Sequence, residues 1–347
     1  MQNLETITLP HNLSEFSSIV DVRTPLEYEE DHLPGAINLP VLANEQRHEV
    51  GTLYKADPFA ARILGARYIS INSAAHLATL EQQWDRKHQP LLYCWRGGLR
   101  SRSFTHIIRS VGWRARLLEG GYKGYRKFLI SDLADKLSSP EPKFHVLAGF
   151  TGTGKTRLLH HLREAGAQVL DLEGLANHRG SLLGKVGPQP SQKLFETHLY
   201  QAIASFDLTR PVFTEAESNR IGERSLPSSL WKKLNSATVT ELTLPVEERV
   251  QLLLDDYPRF LDEPTELCEL LDNLRPLQGH EQVDIWQTLI AEKKWPEFLT
   301  SILSKHYDLC YRPAGSGKSN YQEPSRILPI TNRSQASFQK AAQQLLS

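Results

Sequence analysis

The sequence predicts an α/β fold of two parallel-sheet domains in tandem, the second of which ends in a helical C-terminal part. Short apolar runs bounded by turn residues alternate with helical patterns along most of the 347 residues, as in parallel α/β sheets. One Ser/Pro-rich stretch, KLSSPEPK, interrupts this alternation. We therefore expect a first domain at 8–135, a linker at 136–143 and a second domain at 144–347.

Four strand-like runs mark the first domain. They are SSIVDVR (17–23), GAINLP (35–40), PLLYCW (90–95) and ARLLEGG (115–121). After the third run, apolar residues recur on one face of a helix from Ser101 to Val111. Strands and helices that alternate in this way predict a parallel sheet.

The second domain opens on the strand FHVLAG (144–149), which a glycine-rich loop and a helix ending near Gly166 follow. Ser191 stands where it can cap the N-terminus of a further helix. From Pro245 to about Asp308 the pattern is mainly helical. Further strands are predicted at AQVLDLE (167–173), PVFTE (211–215) and ATVTELTL (237–244).

Composition narrows the class of protein. The 40 basic and 40 acidic residues balance, so overall charge predicts no nucleic-acid partner. No apolar run approaches the ~20 residues of a membrane helix, and the N-terminal residues do not resemble a signal peptide. The cysteines Cys94, Cys268 and Cys310 form no CxxC pair, which argues against disulfides and a structural zinc site. We expect a cytoplasmic protein with no metal centre and no membrane segment.

The loop GFTGTGKT (149–156) fits the pattern G-x-x-x-x-G-K-[ST] between a predicted strand and a predicted helix. Such a P-loop wraps backbone N–H groups around a phosphate, and its lysine adds a positive charge. The hydroxyl of its last residue would ligate Mg²⁺ if this ion is bound. We expect a diphosphate site with no tightly bound cofactor, formed by Gly149, Thr151, Gly152, Thr153, Gly154, Lys155 and Thr156.

Two further stretches bear on this site. Glu215 ends the predicted strand PVFTE and Glu217 follows it, at a place where P-loop folds put a carboxylate that positions a metal or a water. The alternative is that they only solvate the end of the strand. A second glycine-rich segment, GSGKS (315–319), has Arg312 where the motif requires glycine, so we interpret it as a loop without this function.

The loop CWRGGLRS (94–101) begins at Cys94, where a predicted strand ends, and it precedes a predicted helix. The N-terminus of that helix and two nearby arginines should favour the thiolate form of Cys94. We therefore expect Cys94 to be a nucleophile in an anion-binding loop, whereas Cys268 and Cys310 match structural positions. The expected loop residues are Trp95, Arg96, Gly97, Gly98, Leu99, Arg100 and Ser101.

Two chemistries fit this cysteine loop. The C-x5-R spacing is that of a phosphatase, which also needs a general acid, and Asp21 and Asp57 are the candidates. The alternative is an enzyme that carries sulfur or selenium on its cysteine.

A basic run surrounds the same loop. Residues 93–127 contain nine basic residues and a single acidic residue, Glu119, and four aromatic residues are interleaved with the basic ones. The run is either a solvated basic face or a nucleic-acid surface. Its basic residues are Arg96, Arg100, Arg102, Arg109, Arg114, Arg116, Lys123, Arg126 and Lys127, and its aromatic residues are Trp95, Trp113, Tyr122 and Tyr125.

The stretch DVRTPLEYEEDHLPGAINLP (21–40) resembles the signature of the rhodanese family, and the resemblance covers about residues 8 to 135. It implies a rhodanese-like N-terminal domain whose Cys94 carries sulfur as a persulfide, or selenium in its place. Many rhodaneses have a shorter loop. The longer loop of this chain approaches the phosphatase-like relatives of the same fold and would admit a larger anion.

A rhodanese-like domain followed by a P-loop NTPase-like domain resembles the tRNA 2-selenouridine synthase family. The stretches DLEGLANHRGS (171–181), QPSQKLFE (189–196) and EAESNRIG (215–222) carry this resemblance together with the two loops. It implies that the wobble 2-thiouridine of tRNA becomes 2-selenouridine, by S-geranylation from geranyl diphosphate and then exchange of sulfur for selenium from selenophosphate. In that chemistry Cys94 would form an S-selanyl intermediate.

The same resemblance places a further group of residues in the active region of the P-loop domain, without assigning their roles. They are His178, Arg179, Glu215, Glu217 and Arg220. A phosphatase and a non-catalytic tRNA-binding protein that relays sulfur remain the alternative functions.

Overall fold

The computed structural model describes residues 4–179, 187–311 and 321–347. The chain forms two compact units. One contains Met1–Asp135 and Pro190–Gln201, and the other contains Lys136–Gln189 and Ala202–Ser347. The GSGKS segment lies outside the described residues.

The first unit is built on a five-stranded sheet in the order β1-β5-β4-β2-β3, in which every pair of neighbouring strands is parallel. Its strands are β1 Thr6–Ile7, β2 Ser18–Asp21, β3 Ala36–Asn38, β4 Pro90–Tyr93 and β5 Arg116–Leu118. Its helices include α1 Pro25–Glu30, α2 Asn44–Ala56, α3 Pro58–Gln83, α4 Leu99–Val111 and α5 Gly121–Ser138, whose last residues enter the second unit. The predicted parallel α/β fold is confirmed here.

Local sequence explains where several of these helices begin. Thr24 accepts the N–H of Glu27, whose carboxylate accepts the N–H of Thr24 in return, and Pro25 starts α1. Asp57 caps α3 by accepting two backbone N–H groups. The sequence did not predict β1, α2 or α3, because β1 has only two residues and the long helices lack a clear apolar face.

The second unit also contains a parallel five-stranded sheet, in the order β12-β11-β6-β8-β7. Its strands are β6 Phe144–Ala148, β7 Gln168–Leu170, β8 Val212–Glu215, β11 Thr238–Thr243 and β12 Arg326–Pro329, and a separate antiparallel pair is β9 Arg220–Ile221 with β10 Arg224–Ser225. The helices packed around the sheet are α6 Lys155–Glu164, α7 Leu172–Ala176, α9 Ser228–Asn235 and α17 Gln335–Leu346.

A helical layer follows β11 and confirms the predicted helical C-terminal part. Its apolar core surrounds Trp286, which is fully buried. The helices are α10 Val246–Asp256, α11 Pro258–Asp262, α12 Pro264–Asp272, α13 Arg275–Gln278, α14 His280–Ala291, α15 Trp295–Ile302 and α16 Asp308–Cys310, with a π-helical turn at Leu303–Tyr307.

Helix α8, Gln192–Ala204, belongs largely to the first unit although it follows α7 in the chain. As predicted, Ser191 caps it, and the Ser191 hydroxyl accepts the N–H of Leu194 at 3.1 Å. Tyr200 packs against the core of the first unit, and its hydroxyl donates to Asp132 at 2.9 Å. Nothing in the local pattern of this helix indicated that it would belong to a different unit from the residues on either side of it in the sequence.

The run AQVLDLE was predicted as one strand, but the strand ends at Leu170 and α7 begins at Leu172. Asp171 causes the change of structure, because its carboxylate caps α7 by accepting the N–H of Gly174 at 2.7 Å. The apolar run therefore covers the end of a strand and the start of a helix.

Candidate active sites

Cys94 follows β4 directly and is buried, with 3% of its surface exposed. Its Sγ accepts the N–H of Gly98 at 3.2 Å and the hydroxyl of Ser101 at 3.1 Å. Both donors come from the loop and the first turn of α4. Hydrogen bonds of this kind stabilise a negative charge on sulfur.

A backbone turn holds the loop from the other side. The N–H groups of Tyr122 and Lys123 donate to the carbonyls of Cys94 and Trp95, at 2.9 and 3.0 Å. Gly121 lies so close that a Cβ atom there would be 2.2 Å from the Cys94 carbonyl oxygen and 2.6 Å from the Gly97 nitrogen. Sequence reasoning missed Gly121, because only the fold brings it to this loop.

The two loop arginines differ in their surroundings. Arg100 donates to both carboxylate oxygens of Glu27, at 2.6 and 3.2 Å. Burial alone would raise the pKa of Glu27, but the hydrogen bonds and charge of Arg100 lower it below its usual value. Arg96 is exposed and has no ion-pair partner among the described residues.

The two candidates for a phosphatase general acid are already engaged. Asp21 is fully buried and binds the guanidinium of Arg23, with a shortest distance of 2.6 Å. Asp57 accepts the N–H groups of Phe59 and Ala60, both at 2.9 Å. Neither carboxylate is therefore arranged to protonate a leaving group.

The structure also divides the basic run. Arg116 pairs with Glu5 and Glu15, and Arg126 pairs with Glu196. The aromatic residues expected to stack on nucleic-acid bases are mostly core residues, since Trp113, Tyr122 and Tyr125 are 8% exposed or less. The basic residues that stay exposed without an ion pair in the described part of the chain include Arg96, Arg114, Lys123 and Lys127.

In the second unit, the P-loop connects β6 to α6 as the motif predicts. The Nζ of Lys155 donates to the Gly149 carbonyl at 2.9 Å. Gly154 adopts a left-handed conformation with φ +81°, and a Cβ atom there would lie 2.4 Å from the ring of Phe338. Glycine is required at this position for both its conformation and its lack of a side chain.

The P-loop lines a cleft of about 810 Å³. Of the predicted diphosphate-binding residues, all but Thr153 line this cleft, and Thr153 is buried behind it, with its hydroxyl donating to the Phe150 carbonyl. The lining also contains side chains that the sequence did not single out, namely Arg157, His160, Glu173, Trp231, Leu252, Leu253, Asp256, Tyr257, Tyr311 and Tyr321. Tertiary contacts bring them together, so no local motif marks them. Cys310 was expected to be a structural cysteine, but it is exposed and also lines the cleft.

Three carboxyl groups lie beside Lys155. Glu173 accepts the Thr156 hydroxyl at 3.3 Å, and its own N–H donates to Glu215 at 2.8 Å. Burial raises the pKa of Glu215 well above its usual value. Burial, and then the charge of Glu173, raise the pKa of Glu217 to about 8. Both shifts favour the uncharged form of these two carboxyls.

The remaining predicted residues separate. Arg179 lines the cleft, where it donates to the Asp256 carbonyl at 2.7 Å and lies 4.8 Å from the Tyr257 ring centre. His178 is not part of the cleft lining and packs near Gly222. Arg220 is exposed in β9 and is also outside the lining.

Thr156 is the residue of the P-loop whose hydroxyl would ligate magnesium. Within residues 4–179, 187–311 and 321–347, no three acidic, histidine or cysteine side chains are arranged to hold a metal ion. Glu173 instead accepts the Thr156 hydroxyl that would have ligated magnesium. The described groups therefore do not form a prearranged metal site.

These features define a class of protein, in which a rhodanese-like cysteine domain is joined to a P-loop domain. The family model of the rhodanese-like domain matches residues 8–128, and that of the tRNA 2-selenouridine synthase AAA domain matches residues 142–282. The chain belongs to the tRNA 2-selenouridine synthase family, which confirms the resemblance stated above.

Three relatives, each named tRNA 2-selenouridine synthase, illustrate the similarity. The Alcanivorax borkumensis protein is 34% identical over 84% of this chain and 88% of its own length. The Nitrosomonas europaea protein is 40% identical over 69% of this chain, and the Marinobacter nauticus protein is 39% identical over the same share. The matches span only 63% and 65% of the length of these last two relatives.

No helix in the described part of the chain is both long and apolar enough to cross a membrane.

Proposed function

We propose that this chain is a tRNA-modifying transferase that converts the wobble 2-thiouridine of tRNA into 2-selenouridine in two steps. The single observation that supports this most is the presence of two loops with the geometry to bind anions in a chain of this family, one around Cys94 and one around Lys155. The substrates would be tRNA, geranyl diphosphate and selenophosphate, and the reaction would take place in the cytoplasm.

In the first step, the P-loop cleft would hold geranyl diphosphate. The sulfur of 2-thiouridine bonds to C1 of the geranyl group, the bond from C1 to the diphosphate oxygen breaks, and pyrophosphate leaves with the electron pair. The base releases its N3 proton to solvent. Backbone N–H groups and Lys155 suit this step, because they stabilise the charge that develops on the leaving pyrophosphate.

The protonated carboxyls make the cleft compatible with this anion. Glu173, Glu215 and Glu217 would repel a diphosphate strongly if all three were ionised. The raised pKa values of Glu215 and Glu217 reduce that repulsion at neutral pH.

In the second step, the geranylated base, selenophosphate and water would yield 2-selenouridine, geranyl thiol and phosphate. This overall exchange needs no oxidant or reductant. Alkylation makes it feasible, because a thioether sulfur is a better leaving group than a thiocarbonyl sulfur. Selenium would stay at the selenide level: it bonds to C2 of the base, the C2–S bond breaks as geranyl thiol leaves, and water cleaves the Se–P bond to release phosphate. The Cys94 loop would hold the selenophosphate for this step, and the N–H of Gly98 and the hydroxyl of Ser101 are placed to stabilise negative charge beside Cys94.

The two loops should be separable by mutation. Lys155→Ala should abolish geranylation of 2-thiouridine tRNA but still convert pre-geranylated tRNA, because the Cys94 loop is intact. Cys94→Ala should accumulate geranylated tRNA with little selenium incorporated. Cys268→Ala is the matched control and should behave as the wild type in both steps. Nucleoside mass spectrometry of each enzyme and substrate combination measures both products.

Two results would contradict this assignment. If folded Lys155→Ala protein also fails on pre-geranylated tRNA, the P-loop serves both steps. If the wild-type protein binds tRNA but leaves the base unchanged with every small substrate, the chain is a binding or relay protein.

A further inference from the structure

A small apolar cavity lies in the second unit, between the P-loop and the helical layer. Its volume is about 50 Å³. The side chains on its inner side are almost fully buried, with Leu267, Phe298, Ile302 and Leu303 exposed by 2% or less. The complete lining is Thr151, Leu253, Leu254, Tyr257, Leu261, Leu267, Trp295, Phe298, Leu299, Ile302, Leu303 and Tyr307.

This cavity adjoins the P-loop cleft. Thr151, Leu253 and Tyr257 line both spaces. The apolar cavity and the P-loop cleft therefore meet at these three side chains. A ligand that enters both spaces must have an anionic head and a hydrocarbon tail, because the cleft offers N–H groups and cations whereas the cavity offers almost no polar partner.

A buried arginine connects the P-loop to the helical layer that lines the cavity. Arg249 of α10 is 5% exposed, and its Nε donates to the Thr151 carbonyl at 2.9 Å. Its other nitrogens bind Asp308 at 2.6 and 3.0 Å. A Cβ atom on Gly152 would lie 3.2 Å from Leu253, so α10 also packs directly on the loop. The helical layer is thus held in a fixed position relative to the phosphate site.

We propose that this cavity receives the far end of the hydrocarbon chain of a prenyl diphosphate and thereby selects the length of the chain. The proposal rests on the proposed function, which supplies the prenyl diphosphate. The cavity is too small for a whole ten-carbon chain, so most of the chain lies in the cleft and only its end enters the cavity. A five-carbon chain does not reach the cavity, and a fifteen-carbon chain exceeds the space there.

The affinity that the chain contributes follows from its apolar contacts. Burial of one methylene group strengthens binding about fourfold. Geranyl S-thiolodiphosphate resists transfer of its geranyl group. It should therefore bind to the full-length protein at least about 100-fold more tightly than inorganic pyrophosphate does. The dimethylallyl analogue should gain much less over pyrophosphate.

Two variants of half-buried wall residues test the cavity. Leu299→Phe fills it and should reduce the advantage of the geranyl analogue over pyrophosphate by about tenfold or more, while pyrophosphate affinity stays unchanged. Trp295→Leu enlarges it and should improve binding of the farnesyl analogue relative to the geranyl analogue. Leu277→Phe is the matched control, because Leu277 is 73% exposed and outside the cavity.

Calorimetric titration with the three analogues and pyrophosphate decides the question without tRNA. The proposal is overturned if the wild type binds the geranyl analogue no better than pyrophosphate, or if both wall variants leave the chain-length preference unchanged. Unchanged pyrophosphate affinity shows that a variant is folded. If the analogues respond as expected but tRNA is never geranylated, the cavity assignment stands and the proposed function fails.

Discussion

Replacing Gly121 by alanine should disable the Cys94 loop without affecting the P-loop. Gly121 has φ +56°, a conformation that costs other residues about 1–2 kcal/mol. The new Cβ atom would also lie 2.2 Å from the Cys94 carbonyl oxygen, 2.6 Å from the Gly97 nitrogen and 3.1 Å from the Arg96 nitrogen. These are backbone atoms, so the loop itself must move by about 1 Å to restore ordinary contact distances.

A displacement of this size at a reacting group reduces the rate by about 100-fold. Gly121→Ala should therefore slow selenium transfer to pre-geranylated tRNA by about 100-fold, while geranylation of 2-thiouridine tRNA stays at the wild-type rate. Gly35→Ala is the matched control, since Gly35 has φ +71° and nothing within 4 Å of an added Cβ atom. Both variants lose stability because alanine is strained at a positive φ, so only the contact with the Cys94 loop distinguishes them.

Single-turnover assays with mass-spectrometric detection measure the two rates, and thermal unfolding shows whether each variant is folded. The reasoning would be refuted if folded Gly121→Ala transferred selenium within about twofold of Gly35→Ala. The loop would then tolerate the displacement, and the close packing of Gly121 would have no role in the chemistry.

Two further results are expected from the charges of the molecule. Burial raises the pKa of Glu217 to about 8, so a carboxylate forms beside the ligand as the pH rises through that value. The affinity for pyrophosphate should fall over the same pH range. Calorimetry should show this fall in the wild type and not in Glu217→Gln. Binding of tRNA should depend steeply on salt, and Arg114→Ala and Lys123→Ala should each reduce the slope of log affinity against log salt by about 1 in anisotropy titrations. Arg116→Ala should change the slope less, because Arg116 already pairs with Glu5 and Glu15. An unchanged slope in the first two variants would place the RNA surface elsewhere.

The sequence predicted the parts of the molecule that local chemistry determines. The P-loop follows from a glycine pattern between a strand and a helix, and the Cys94 loop follows from a short motif at the end of a strand. Asp171 carried a usable signal, because aspartate is favoured as a helix N-cap and the acidic Glu173 follows in the first turn. Attention to it would have divided the run AQVLDLE correctly.

The parts that were missed depend on tertiary structure. Gly121 is 27 positions from Cys94 in the sequence, and only the ends of adjacent parallel strands bring the two together. Glu173, in the first turn of α7, reaches Thr156 in α6 although β8 separates β6 from β7 in the sheet. The aromatic residues of the basic run show the opposite error, because their spacing resembled a stacking surface although they belong to the core.

The two anion sites differ in a way that fits the different fates of their ligands. The Cys94 loop places backbone and hydroxyl donors around a single sulfur, which under the proposed function suits a small anion that reacts beside the cysteine. Under the proposed function, the P-loop cleft would instead bind a diphosphate and then release pyrophosphate. Its lysine favours binding, whereas Glu173, Glu215 and Glu217 limit the affinity as soon as one of them loses its proton. We therefore expect these buried carboxyls to help the product leave once they ionise, so Glu217→Gln should slow pyrophosphate release above about pH 8, where the variant keeps the affinity that the wild type loses.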